Sequence, residues 1–428
     1  MSLHSSDGSE LSRLEPGVRR ASTLREIIGA RVAQQCSQVY GASLKAVILT
    51  GSLARDEATL LPEEHGWRFL GDAEFLLILC DRASLPNKIN TRALQDEIDA
   101  SMFQAGISGQ VNLSAVHTTY LRRLPPDIFA YELRNCGQVI WGSREILESI
   151  PHFSRAGIPL EDGWRLLSNR MLEHLETFEE QRKKPNVLSQ RAFYRTVKLY
   201  LDMATSFLVF SGKYAPTYAE RAQNLAALAE EPFTTGKMPF DLARFSQRVT
   251  DCTNWKISAC ERGRSVFSSF VTAPDFVWWE EAVGYAENLW RWELEQLTHL
   301  SGQVTAQELL KRWMRQQQYS RRLRGWLYVA RDQGWLRSWR QWPRWAQLAF
   351  SASPRYWVYG VAHQMYSGES RRFKGGSAYA DGDMNLEELR LFLPVRPVLP
   401  GWHKLSDWSR LSKEVTWNYE QFLAATRA

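Results

Sequence analysis

At 428 residues, 44% hydrophobic and 23% charged, the chain has the composition of a globular protein with room for two to three domains, and no apolar run reaches the roughly 20 residues of a membrane-spanning helix. Five widely spaced cysteines, with no CxxC pair and no histidines at zinc spacing, exclude a disulfide framework and a zinc ribbon, and predict reduced structural thiols. The net charge of +6 is local: residues 311–345 carry one Lys and nine Arg against Asp332, a segment charge of +9 that leaves −3 for the rest.

Residues 1–22 are polar and lack the apolar core of a signal peptide, so they read as a flexible arm of a cytoplasmic protein. Apolar positions at helical spacing predict a helix over 23–40, and "LKAVILTG" predicts a buried strand closed by a glycine turn. A short helix is expected through "LARDEATL" and an exposed loop through "LPEEHGWRF". A strand over Ala73–Leu79, a helix over "ALQDEIDASMFQAG", a third strand "QVNLSAVH", a proline-opened helix "PDIFAYELRNCG" and an edge strand "QVIWG" complete an α+β unit over 23–150. Long helical patterns then define a helical domain over 151–270, with Gly212 placed as a helix stop, and a Trp/Arg-rich, mainly helical region over 271–428. The expected fold class is therefore α+β, a mixed sheet followed by helices.

Chemistry concentrates between Leu49 and Leu79. Strand residues two apart share a face, so Asp72 and Glu74 project together while Ala73 faces the core. Two carboxylates side by side repel unless a cation lies between them, and their hard oxygens suit Mg²⁺, which commonly adds substrate phosphate oxygens. Gly51-Ser52 at the end of the preceding strand lets backbone approach a ligand closely, and the helix start beyond it offers N–H groups to a phosphate. Together these residues predict a site for a nucleoside triphosphate bound through Mg²⁺ or Mn²⁺, with charge stabilised at the α-phosphate as pyrophosphate leaves.

The two motifs, "TGSLARDEAT" and "GDAEFLLIL", resemble those of the DNA-polymerase-β-like nucleotidyltransferases, including the small bacterial and the aminoglycoside enzymes, over roughly residues 25–145. The resemblance implies a mixed-sheet nucleotidyltransferase domain in which Gly51 and Ser52, with Arg55 in the same turn, bind nucleotide and Asp72 and Glu74 bind metal. It also implies a basic residue reaching from the next helical domain to the outer phosphates, where "AFYRTVKLYLDMA" offers Lys198 first and Arg195 second. Two departures stand out. The spacer from Ser52 to Asp72 is longer than the family's usual one, a difference the "LLPEEHGWRF" stretch can absorb. Where the family places a third carboxylate, on the next strand, this chain has Asn112, whose carbonyl can coordinate a metal but whose amide cannot accept a proton as a general base. Glu63 or Glu64 on the loop, or His117 beyond the third strand on the opposite parity from Asn112, are the other groups near enough in sequence to serve.

Two functions follow as expectations. One is a Mg²⁺-dependent transferase moving a nucleoside monophosphate onto a hydroxyl of a small molecule, protein or RNA. The other is a degenerate member that keeps nucleotide or partner binding as a scaffold module and binds nucleic acid through its basic segment. Tyr218 and Arg221 either line an acceptor cleft or pack a turn. "ADGDMNLEE" starts like a calcium loop but has Leu386 and Phe392 where Gly and Glu are needed, so it reads as a polar turn before a helix, and "KGGSAYADG" lacks the spacing of a phosphate loop. In the segment 311–345, Trp335, Trp339 and Trp342 recur at helical spacing and are expected to pack inside under an Arg surface; the alternatives are nucleic acid or an acidic polymer, and an anionic membrane surface.

Overall fold

Period-two alternation in the first third of the chain builds a five-stranded mixed sheet in the computed structural model, which describes residues 18–64, 66–184, 187–231, 238–262, 275–302, 304–373, 385–397 and 401–426. The strands are β1 (Leu44–Thr50), β2 (Thr59–Glu63), β3 (Gly66–Leu79), β4 (Ile107–His117) and β5 (Gln138–Gly142). Strand β3 is the spine. Its first half pairs antiparallel with β2 and its second half antiparallel with β1, while β4 runs parallel to it and β5 lies outside β1.

Both faces of the sheet are covered. Odd-numbered β3 residues (Ala73, Phe75, Leu77) pack with Ile28 and Val32 of α1 (Val18–Tyr40) and with Leu94 and Ile98 of α3 (Lys88–Gln104); α2 (Gly51–Ala54) is a single turn. Even-numbered Leu76 and Ile78 pack with Leu121 of α4 (Thr118–Arg122) and with Ala130 and Leu133 of α5 (Ile128–Cys136). The side-chain period of two thus sends one face to each pair of helices, and each fully buried Leu or Ile stabilises by roughly 1.5–3 kcal/mol.

The rest of the described chain is helical: α6 (Leu160–Lys183), α7 (Gln190–Phe210), α8 (Tyr218–Glu230), α9 (Leu242–Arg262), α10 (Asp275–Thr298), α11 (Ala306–Gln316), α12 (Tyr319–Asp332), α13 (Trp342–Ser351), α14 (Pro354–Phe373), α15 (Leu386–Phe392) and α16 (Asp407–Thr426). A continuous hydrophobic cluster runs through these helices from Trp164 to Tyr419. Ser189 caps α7 by accepting from Ala192 N, and Gly212 follows its end with φ 66°. The fold class is α+β, as the sequence patterns predict.

Three local expectations are corrected. The helix expected through "LARDEATL" stops at Ala54, because Thr59 and Leu60 enter a strand. The expected loop "LPEEHGWRF" is instead the β2–β3 hairpin: Trp67 and Phe69 are buried while Arg68 is exposed, and Pro62 is tolerated because β2 is an edge strand. Trp335, Trp339 and Trp342, expected in the core, are exposed, whereas Trp326 and Trp345 are buried. Asn385 caps α15 by accepting from Glu388 N, which fits a polar turn before a helix, while Asp381, Asp383 and "KGGSAYADG" lie outside the described residues. Cys36, Cys80, Cys136 and Cys252 are free thiols, and burial pushes Cys36 up to about 12.

Candidate functional site

The end of β1, the middle of β3 and the middle of β4 meet at one point. Thr50 and Asn112 are the register partners of Glu74 on its two sides, so the strand order itself places Asn112 beside the second acid. Gly51 turns away from β1 with φ 70°, and a Cβ built on it would lie 2.9 Å from Glu74 Oε2. A side chain there would be strained by the backbone and would strike the carboxylate, so glycine is what lets this turn lie against the acid. Glu74 is half-buried. Asp72, two residues earlier on the same face, is exposed and follows Gly71, whose φ is 99° where the β3–β4 register shifts. Thr50, Glu74, Asn112, Ser114 and His117 line a cavity of about 500 Å³ that continues past Tyr120 and Arg123 to Phe129.

The other sequence candidates are placed as follows. Ser52 is half-buried, and its carbonyl accepts from Glu57 N at 2.8 Å. Arg55 turns into a buried cluster: it donates to Glu57 at 3.0 Å and to Glu132 at 2.6 Å, and stacks over Tyr218 at 5.3 Å. Arg221 joins this cluster through Glu132, Tyr214 Oη and Thr205 Oγ1, and donates to the carbonyls of Ala215 and Pro216, so it packs the turn before α8. Glu57 also accepts from Tyr218 N at 2.5 Å and Ala219 N at 3.2 Å, a carboxylate at the positive start of α8. Glu57 and Glu132 were missed by sequence reasoning.

Helix α7 meets the sheet next to Asp72. Tyr194 Oη donates to Leu70 O at 3.0 Å and would lie 3.3 Å from a Cβ on Gly71. Lys198, one turn on, sits 5.8 Å from the Tyr194 ring, with no carboxylate paired to it among the described residues. Arg195 is held by Glu176 at 2.6 Å. Arg191 also pairs with Glu176, at 2.9 Å, so of the three basic residues on this helix Lys198 is the one left for an anion.

Lys256 on α9 is a second residue that sequence reasoning missed. It is buried 5.6 Å from the Tyr194 ring and 5.5 Å from the Tyr218 ring, with Nζ 3.4 Å from Thr59 Oγ1. Burial lowers its ammonium from 10.5 to about 8, against the opposing pull of Glu57. With the folded value below the unfolded one, the unfolded state holds more protons between these values. Stability therefore rises with pH through that window, and the cost is full below pH 8. Lys256→Met is expected to be more stable than wild type at pH 7 by a few kcal/mol, with the gap closing toward pH 10, as read from urea unfolding at both pH values. A constant gap would show that the ammonium is not desolvated.

The loop acids are remote. Glu63 accepts from Ser108 Oγ at 2.9 Å at the hairpin end, and Gly66 to Glu74 spans roughly 26 Å of strand at ~3.3 Å per residue. His117 Nε2 lies 2.8 Å from Ala83 O, a carbonyl that can only accept, which fixes the proton on that nitrogen. Among the described residues, no group of three or more His, Cys, Asp or Glu is arranged to hold a metal ion. Two strand carboxylates and the Asn112 amide oxygen are nonetheless hard donors of the kind Mg²⁺ takes.

No protein-family model and no curated protein matches the chain. Among solved structures it is similar to spectinomycin adenyltransferase AAD(9) from Enterococcus faecialis with ATP and spectinomycin, at 10% identity and a TM-score of 0.34, over 61% of this chain and 97% of that one. A likeness at that score carries no argument about this chain's chemistry.

Proposed function

We propose that the chain is a metal-dependent nucleotidyltransferase that moves a nucleoside monophosphate from a nucleoside triphosphate to an acceptor hydroxyl, with pyrophosphate leaving. The observation that carries this reading is the close approach of the Gly51 turn to the Glu74 carboxylate, 2.9 Å from a built Cβ, with Asn112 in register on the other side. Phosphate-binding backbone and metal-binding oxygen are thereby adjacent, as transfer at an α-phosphate requires.

In this reading residues 23–150 form the transferase unit, with the helical parts 151–270 and 271–428 behind it. Gly51 and Ser52 hold the triphosphate, Asp72 and Glu74 would hold Mg²⁺ or Mn²⁺, and Lys198 meets the outer phosphates with Arg195 as the weaker candidate. The metal, when bound, neutralises charge on the transferring phosphoryl group. Arg55 acts on the Gly51 turn from behind, anchored by Glu57 and Glu132. Asn112 supplies an oxygen ligand and no base, so the acceptor's proton passes to solvent or to a group of the acceptor itself.

A second reading, a nucleotide-binding scaffold without transfer, is favoured by Asn112 alone, since it stands in register with Glu74 where a base would act. Calorimetric titration of each nucleoside triphosphate into wild type and Asp72→Ala, with and without Mg²⁺, followed by a pyrophosphate-release assay, tests both. Metal-dependent binding lost in Asp72→Ala, with pyrophosphate release, is the expected result. Binding without release favours the scaffold, binding indifferent to metal and to Asp72 removes the transferase reading, and no binding of any nucleoside triphosphate removes both.

A further inference from the structure

We propose that the Trp/Arg turn between α12 and α13 docks on an anionic lipid bilayer. Trp335, Leu336, Trp339 and Trp342 are 44, 91, 60 and 44% exposed, although the same segment buries Trp326 and Trp345. The chain therefore sorts its tryptophans, and holds these four apolar side chains out. The turn that presents them is braced from within: Gly334 takes φ 78°, the Gly334 carbonyl accepts from Ser338 N at 3.0 Å and Ser338 Oγ at 2.9 Å, and the Trp335 and Trp342 rings meet edge-on at 5.8 Å. Tyr319, Leu323 and Leu327, four residues apart on α12, add a second exposed apolar row.

Charge frames this surface. Arg324, Arg331, Arg337 and Arg340 are exposed and have no carboxylate partner among the described residues, within a segment of charge +9. Arg340 lies over the Trp339 ring at 5.5 Å. Apolar side chains at the tip with arginines around them match the boundary between headgroups and acyl chains, where Trp and Leu enter and each Arg meets anionic headgroups. The most exposed member, Leu336, decides against nucleic acid: it offers neither a ring for a base nor a donor for a phosphate. A second copy of the chain would bring the same positive charge to the contact and be repelled. Docking is peripheral, since no described helix is long and apolar enough to cross a membrane.

The test is flotation of the full chain with vesicles of phosphatidylcholine alone and of phosphatidylcholine mixed with phosphatidylglycerol. Wild type is expected to float only with the anionic vesicles, less so at high salt. Leu336→Glu/Trp339→Glu and Arg337→Gln/Arg340→Gln, each checked for an unchanged thermal transition, are expected to lower partitioning about tenfold or more. No flotation of wild type with anionic vesicles overturns the proposal, as does flotation that both double variants retain. Binding of a single-stranded oligonucleotide that displaces the vesicles and is lost in the same variants also overturns it.

Discussion

Glu132→Ala is expected to destabilise the fold by about 3–5 kcal/mol, measured by urea unfolding at pH 7. The carboxylate pairs with Arg55 at 2.6 Å and with Arg221, and accepts from Tyr214 Oη at 2.6 Å; both guanidinium groups are buried. Removing it leaves Arg221 without a carboxylate partner among the described residues, Arg55 with Glu57 alone and the Tyr214 hydroxyl without its acceptor, which costs far more than loss of a surface pair. Burial alone would raise this carboxyl, but Arg55 and Arg221 together outweigh it and hold it below the usual range. Its contribution is therefore present above the unfolded value of about 4.3 and is lost as pH falls through the folded value. Glu132→Gln, which keeps the shape but not the charge, should lose less than Glu132→Ala. A loss below about 1 kcal/mol for the alanine variant would show that the cluster is solvated rather than a buried brace.

Glu74→Gln is expected to lower pyrophosphate release by a factor on the order of 10²–10³ while leaving the unfolding midpoint within a degree or two of wild type. The amide keeps the side chain's volume against the Gly51 turn, so any loss reports charge rather than packing. The split between binding and turnover is informative. A metal ligand lost at the reacting phosphate lowers kcat together with kcat/KM, whereas loss of a purely structural contact leaves kcat unchanged once nucleotide saturates. Unaltered turnover in Glu74→Gln would remove the carboxylate from the reaction.

The sheet was legible wherever one strand face met one helix layer. In β1, β3 and β4 the apolar residues alternate or run unbroken, and β5 is a short edge segment, so type and order follow from periodicity. The β2–β3 hairpin was hidden because Pro62, Glu63, Glu64 and Gly66 carry turn chemistry at the tip, outweighing the alternation of Trp67, Arg68 and Phe69. The Trp segment misled for a different reason. Helical spacing says which side chains share a face but not whether another element covers it, and nothing described covers Trp339. At the candidate site, Asp72, Glu74 and Asn112 lie on two adjacent strands and Gly51 in the turn that ends β1, so strand alternation and strand ends point to their shared neighbourhood without testing their roles. The Arg55–Glu132 and Glu57–Tyr218 contacts join residues 77 and 161 positions apart, a separation that no local pattern encodes.

Strand β3 also answers a question of mechanical tolerance. Its first half is gripped by helices, through Tyr194 Oη on Leu70 O and Lys256 on Thr59 of the paired strand, its middle carries Asp72 beside β4, and its second half opens with Glu74 between β1 and β4. The acids and the helix-borne cations are thus referenced to a single covalent beam instead of to two bodies meeting across a gap. Few independent parts stand between Lys198 and Asp72, so positional errors have little chance to accumulate, and Gly71 is the joint through which any misalignment must pass.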